Sequence, residues 1–173
     1  MNLRRRYKDI DILGALFVEH IEKMIEGLQD NIVVFDFDGT LTDFKYAENT
    51  LLPCRDDEIF EYSMTNNIYQ NVRVLKTMQF ILSQLDKDKV FILTRTEETL
   101  IDKKNNVIFA NFPVLFENVY HVKRVEDKLN VLNKLHNRFN RDIIFVEDTF
   151  KTILDAEETM SFVKGIHISS FII

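Results

Sequence analysis

Three short stretches of the chain are apolar almost without a break: Ile-Val-Val-Phe at 32–35, Val-Phe-Ile-Leu closing on Thr94 at 90–94, and Ile-Ile-Phe-Val at 143–146. Runs of this length and composition predict strands buried on both faces. Between them, apolar positions recur every three or four residues. Ile12, Leu16, Phe17, Ile21, Met24, Ile25 and Leu28 do so over 11–28, with Glu19, Glu22, Lys23 and Glu26 on the other side. Val72, Leu75, Met78, Ile81, Leu82 and Leu85 repeat the pattern over 69–85, and Leu129, Leu132, Leu135 and Phe139 over 126–139. These are predicted helices, each with one face for the core. Further helices are expected over about 97–110, where Asn105-Asn106 signals an early end or a break, and over about 150–160. A strand within 114–122 ends near His121, and a last short strand covers 165–168. The stretch 44–67 has no clear period. Strand and helix thus alternate, and strands apolar throughout need cover on both sides. The expected fold is α/β: a three-layer α/β/α, Rossmann-like arrangement around a mostly parallel central sheet.

Length and composition sharpen this picture without changing it. The 173 residues suit one domain, with the amphipathic helix of 1–30 packed onto the body of 31–173 and 44–69 forming a small insert or flap. Fifteen Phe with no Trp, four Gly and two Pro fit a packed, helix-rich domain with few long connections. The single Cys54 cannot form an internal disulfide. No uninterrupted apolar run reaches spanning length, and Asp9, Asp11 and Glu19 interrupt the stretch behind Arg4-Arg5-Arg6 that an export signal would need. A cytoplasmic protein with no membrane partner is expected; an oligomer is left open. The net charge of −6 disfavours nucleic acid as a partner without excluding it.

The chemistry gathers where strands end. Asp36 and Asp38 follow the apolar run at 32–35, where a buried strand has no use for acids, and alternation would put both on one face of the sheet edge. Gly39 then allows a sharp turn. Thr94 closes the second strand, Glu147 and Asp148 close the one at 143–146, and a lysine lies nearby at Lys123 or Lys128. In a parallel sheet these ends share one edge, so groups distant in sequence converge. A Thr at a strand end also serves as a simple cap, and Asp148 as a cap for the next helix.

The order Asp36-Phe37-Asp38-Gly39-Thr40, Thr94, a lysine and Glu147-Asp148-Thr149 resembles the four motifs of the haloacid dehalogenase (HAD) superfamily of phosphatases and phosphotransferases, across about 32–156. The resemblance implies a HAD-like hydrolase domain in which Asp36 is the nucleophile of an aspartyl-phosphate mechanism and Asp38 the general acid and base. It implies a Mg²⁺ ion held by Asp36, Asp38 through its backbone carbonyl, and Asp148, with Glu147 adding a direct or water-mediated contact. Thr94 and one lysine would bind the phosphoryl group. Lys128 opens a helix in the family's usual register, whereas Lys123 lies at the more typical distance from Glu147-Asp148; Lys128 is preferred because packing fixes helix register and loop length varies.

Arg95 and Thr96 depart from the small residues usual in the family, and Arg95 either contacts substrate or extends into solvent. His121, His136 and Cys54 have no ligand-like spacing and are read as structural. The insert is too short for a large helical cap, so the resemblance is to capless or minimally capped members, whose open clefts admit phosphorylated small molecules or macromolecular phosphoesters. Phe44, Tyr46, Tyr62 and Tyr69 either form a small flap or pack the loop to the body. The leading expectation is a Mg²⁺-dependent phosphomonoester hydrolase. Its competitors are a phosphotransferase or phosphomutase, and a catalytically silent interaction domain that keeps the fold.

Overall fold

Each uninterrupted apolar run does become an interior strand. The computed structural model describes residues 3–43, 67–70 and 72–171, with side chains from Leu16 onward. Its elements are α1 (Leu3–Gln29), β1 (Ile32–Phe35), α2 (Lys76–Gln84), β2 (Val90–Arg95), α3 (Ile101–Asn111), β3 (Val119–Val122), α4 (Asp127–Phe139), β4 (Ile143–Glu147), α5 (Phe150–Thr159) and β5 (Val163–His167). The five strands form one sheet in the order β3-β2-β1-β4-β5, every pair parallel. The chain winds outward from β1 to β3, then crosses to the other side of β1 for β4 and β5. Right-handed crossovers therefore place helices on opposite faces before and after that switch.

The core divides accordingly. On one face Val33, Phe35, Val90, Ile92, Ile144 and Val146 pack against α1, α2 and α3 through Leu28, Met78, Ile81 and Ile108. On the other, Ile32, Val34, Phe91, Leu93 and Phe145 meet Leu132 and Leu135 of α4 and Ala156 of α5. Period-two alternation along each strand feeds both layers, giving the Rossmann-like three-layer α/β/α arrangement. Ile21, Ile25 and Leu28 bury the C-terminal part of α1 in the first layer.

Several boundaries differ from the sequence pattern for local reasons. The helix expected from 69 starts only at Lys76, because 73–75 runs antiparallel to 41–43: the Asp43 N–H donates to the Arg73 carbonyl, the Leu75 N–H to that of Leu41, and Thr42 bridges Val74. Asn105-Asn106 does not break α3. The Asn105 side chain is engaged by His121 at 2.8 Å and so does not compete with the helix for its own backbone. α4 ends at Asn140 with φ of 50°, the left-handed residue that closes many helices. β5 begins at Val163, two residues earlier than expected, and contains Gly165; a Cβ there would run into Ile153, so the glycine lets α5 lie close on the strand. Of the aromatic residues expected in a flap, Phe44, Tyr46 and Tyr62 lie outside the described residues, as does Cys54. Tyr69 is buried and packs its ring against Phe37, with centroids 6.1 Å apart.

Candidate active site

The strand order switches between β1 and β4, and the carboxyl ends of the strands at such a switch are where open α/β sheets hold their ligands. The register Phe35↔Val146 makes Asp36 and Glu147 lateral neighbours, and the Asp36 N–H extends the pairing by donating to the Val146 carbonyl at 2.9 Å. Beyond Asp36 the chain leaves the sheet. The Phe37 carbonyl accepts the N–H groups of Thr40, Leu41 and Thr42, and Gly39 sits at φ of 76°, which a residue with a Cβ adopts only under strain.

Both lysine candidates are placed clearly. Lys128, in the first turn of α4, is buried and donates to Asp36 Oδ1 and Glu147 Oε2, each at 2.7 Å. Lys123 pairs with Glu98 at the surface, both side chains more than 70% exposed, and does not reach Asp36. Asp148 completes a group in which Asp36, Glu147 and Asp148 each present a carboxylate oxygen within 4.8 Å of the others. The capping alternative for Asp148 does not hold: α5 has no side-chain cap, and Glu147 Oε1 is the atom that accepts the Thr149 N–H.

Three carboxylates against one ammonium leave this buried pocket with two uncompensated negative charges when all are ionised. The proton affinities register the strain. Burial pushes the Asp36 carboxyl up to about 7 against the pull of Lys128, with Glu147 and Asp38 adding repulsion. Burial likewise pushes Glu147 up to about 7, restrained by Lys128 and reinforced by its hydrogen bond with Asp148. Asp148 is raised by burial and by the Asp36 charge. Burial alone would lower Lys128, but Asp36 and Glu147 outweigh it and hold the ammonium above its ordinary value.

These shifts make stability depend on pH. In metal-free protein, folded Asp36 and Glu147 keep protons that the unfolded chain releases near the ordinary values of 3.8 and 4.5, so their contribution to stability falls as pH rises toward about 7. Thermal melts in a chelator at pH 5 and pH 8 should show the Glu147→Gln variant gaining on wild type at the higher pH. Saturating Mg²⁺ should reverse that order at pH 8.

No family model matches the chain, and no curated protein matches it.

Asp38 and Asp36 do not share a face as alternation along the strand predicted, because β1 ends at Phe35 and both acids lie past it. Asp36 reaches α4, whereas Asp38 reaches the opposite layer. There Lys104 of α3 donates to Asp38 Oδ2 at 2.6 Å, to Thr94 Oγ1 at 2.8 Å and to the Arg95 carbonyl at 2.8 Å, and the Tyr69 hydroxyl donates to Asp38 Oδ1 at 3.2 Å. Thr94 thus stands at the site's edge, fully buried, with its hydroxyl already accepting from Lys104. The Arg95 side chain is exposed. Tyr69 was named only among the aromatics of a flap or a packed loop, without a link to Asp38, and Lys104 is the participant that the sequence pattern did not single out. One signal was present: Leu100, Lys104 and Ile108 are spaced by four, so Lys104 occupies the apolar stripe of its helix.

Of the residues read as structural, the two histidines are described. His121 contacts Thr96 Oγ1 at 3.0 Å through Nδ1 and donates from Nε2 to Asn105; burial, then the charge of Lys104, lower it to about 4, so it is neutral at physiological pH. The His136 ring contacts the Arg141 carbonyl just past the end of α4 at 2.8 Å and stacks on Phe162 with centroids 3.8 Å apart.

The donor set fits a hard divalent cation. All the available atoms are oxygens, the uncompensated charge is two, and the three side chains come from two adjacent strand ends held in fixed register. Soft or imidazole-preferring metals would find no Cys or His ligand among the described residues of this cluster.

Proposed function

We propose that this protein is a Mg²⁺-dependent phosphomonoester hydrolase of the haloacid dehalogenase type. One observation carries the proposal: Lys128 bridges Asp36 and Glu147 beside Asp148, an arrangement that supports reading Asp36 as a nucleophile, Lys128 as the cation for the phosphoryl group and the three carboxylates as a divalent-metal site. Asp36, Asp148 and Glu147 would hold Mg²⁺, with the Asp38 carbonyl as a further oxygen. The bound ion would offset the negative charge of the incoming phosphate and polarise a phosphoryl oxygen.

The chain's own groups account for the rest. Lys128 pins Asp36 by one oxygen and, having used two of its three donors on Asp36 and Glu147, keeps one for a phosphoryl oxygen. An Asp36 oxygen attacks phosphorus and forms an aspartyl phosphate as the ester P–O bond breaks. Asp38 delivers a proton to the leaving oxygen. It then takes a proton from the water that attacks the aspartyl phosphate, releasing inorganic phosphate and restoring Asp36. The partner implied is a phosphorylated small molecule or a macromolecular phosphoester. Among the described residues no helix is long and apolar enough to cross a membrane.

The test is hydrolysis of p-nitrophenyl phosphate and of a panel of phosphorylated metabolites and phosphopeptides. Release of phosphate that stops with chelator and resumes with Mg²⁺ is expected. Metal binding without turnover over the whole panel would favour the silent interaction domain, and transfer to an acceptor other than water a phosphotransferase or phosphomutase.

A further inference from the structure

An interior lysine needs a reason, because desolvating an ammonium is costly unless every donor is matched. Lys104 is fully buried, and its three N–H donors meet three acceptors: Asp38 Oδ2, Thr94 Oγ1 and the Arg95 carbonyl. Its Nζ also lies 5.6 Å from the Phe37 ring centroid and 5.3 Å from that of Tyr69, which close the apolar side of its pocket. With all donors committed, Lys104 has none for a substrate oxygen. The Tyr69 hydroxyl occupies the other oxygen of the same carboxylate. Asp38 is therefore gripped at both oxygens although it sits in a turn outside the sheet, where a side chain would otherwise sample several rotamers.

We propose that Lys104 is a positioning residue for Asp38: it ties that carboxylate to the C-terminal end of β2, so that protons are exchanged with the leaving oxygen and with water from one fixed place. The role rests on the phosphatase reading above. It is distinct from that of Lys128, which sits in the opposite layer, is bonded to Asp36 and Glu147, and retains a donor for the phosphoryl group. Thr94 and the Arg95 carbonyl serve as the anchor on the sheet side, and α3 delivers the ammonium because Leu100 and Ile108 bury the face that carries it.

The experiment compares the full chain with Lys104→Met, Asp38→Asn and the double variant, in Mg²⁺, on two substrates. Ethyl phosphate has a leaving oxygen that needs a proton; p-nitrophenyl phosphate has one that leaves readily without it. Lys104→Met should lower kcat on ethyl phosphate by about 100-fold, the lower end of what positioned acid–base catalysis supplies, by no more than about 10-fold on p-nitrophenyl phosphate, and should leave KM within about threefold. In the Asp38→Asn background the Lys104 change should cost no further factor beyond about threefold, since the group it positions is gone.

Equal losses on both substrates, or full additivity with Asp38→Asn, would overturn the proposal. Where Lys104→Met does not fold, Lys104→Ala with ethylammonium chloride decides: recovery of ethyl phosphate turnover supports the role, and a folded variant that does not recover removes it. Where neither Lys104 variant folds, Tyr69→Phe frees the other oxygen of the same carboxylate and must show the same leaving-group dependence; equal loss on both substrates overturns. An active wild type with an unaffected Lys104→Met variant removes only the role of Lys104. A wild type that hydrolyses no phosphoester removes the phosphatase reading and this role together.

Discussion

Asp36→Asn is expected to lower turnover of p-nitrophenyl phosphate by at least about 10⁴-fold, because an amide oxygen cannot form the acyl phosphate on which both half-reactions depend. The loss should fall on kcat, and intact-mass measurement after rapid quenching should find a phosphorylated species only in the wild type. The same substitution should not harm the fold. It removes one negative charge from a pocket that holds three carboxylates and one ammonium, so in chelator the variant should melt no lower than wild type at pH 8. Lost activity with retained or increased stability separates a nucleophile from a structural acid.

Lys128→Met should have the opposite profile, losing both stability and activity. Its ammonium is the cation that offsets Asp36 and Glu147, both almost fully buried, and removing one partner of a buried ion pair typically costs about 3–5 kcal/mol. For a domain of this size that corresponds to a fall in Tm of roughly 6–20 °C, measured in chelator at pH 8. Saturating Mg²⁺ should recover part of the loss, since the ion neutralises the same carboxylates. Turnover should fall by at least about 100-fold even with Mg²⁺ present, because the remaining lysine donor on the phosphoryl group goes with it. The Lys123→Met variant should match wild type in both respects, its ammonium lying at the surface against Glu98.

How much of this was legible in the sequence depends on how local each signal is. The interior strands were, because Val33-Val34, Phe91-Ile92 and Phe145-Val146 must feed two layers at once and therefore read as unbroken apolar runs. The convergence of Asp36 with Glu147 and Asp148 was legible too, since parallel strands deliver the residues at their carboxyl ends to a common edge. The start of α2 was not: Leu75 fits the helical period, yet its N–H is taken by Leu41, a distant partner that no local pattern reveals. Asp38 was singled out, but its surroundings were not. Period-two alternation holds only while the strand lasts, and the chain turns after Phe35 to bring Asp38 to the opposite layer from Asp36. Lys104 was hidden for a different reason. A polar residue among charged neighbours looks solvated, and its spacing of four from Leu100 and Ile108 becomes decisive once their burial shows that its stem runs inward.

The proposed nucleophile, metal and lysine all depend on the net charge carried by Asp36, Glu147 and Asp148, and a divalent ion should complete the site. A crystal of the wild-type protein soaked in Mn²⁺, a Mg²⁺ surrogate visible by anomalous scattering, tests this directly. One ion is expected, with carboxylate oxygens of Asp36 and Asp148 at about 2.0–2.2 Å. A site without an ion at saturating Mn²⁺, or an ion bound only elsewhere while Asp36 and Asp148 remain ordered, would contradict the account.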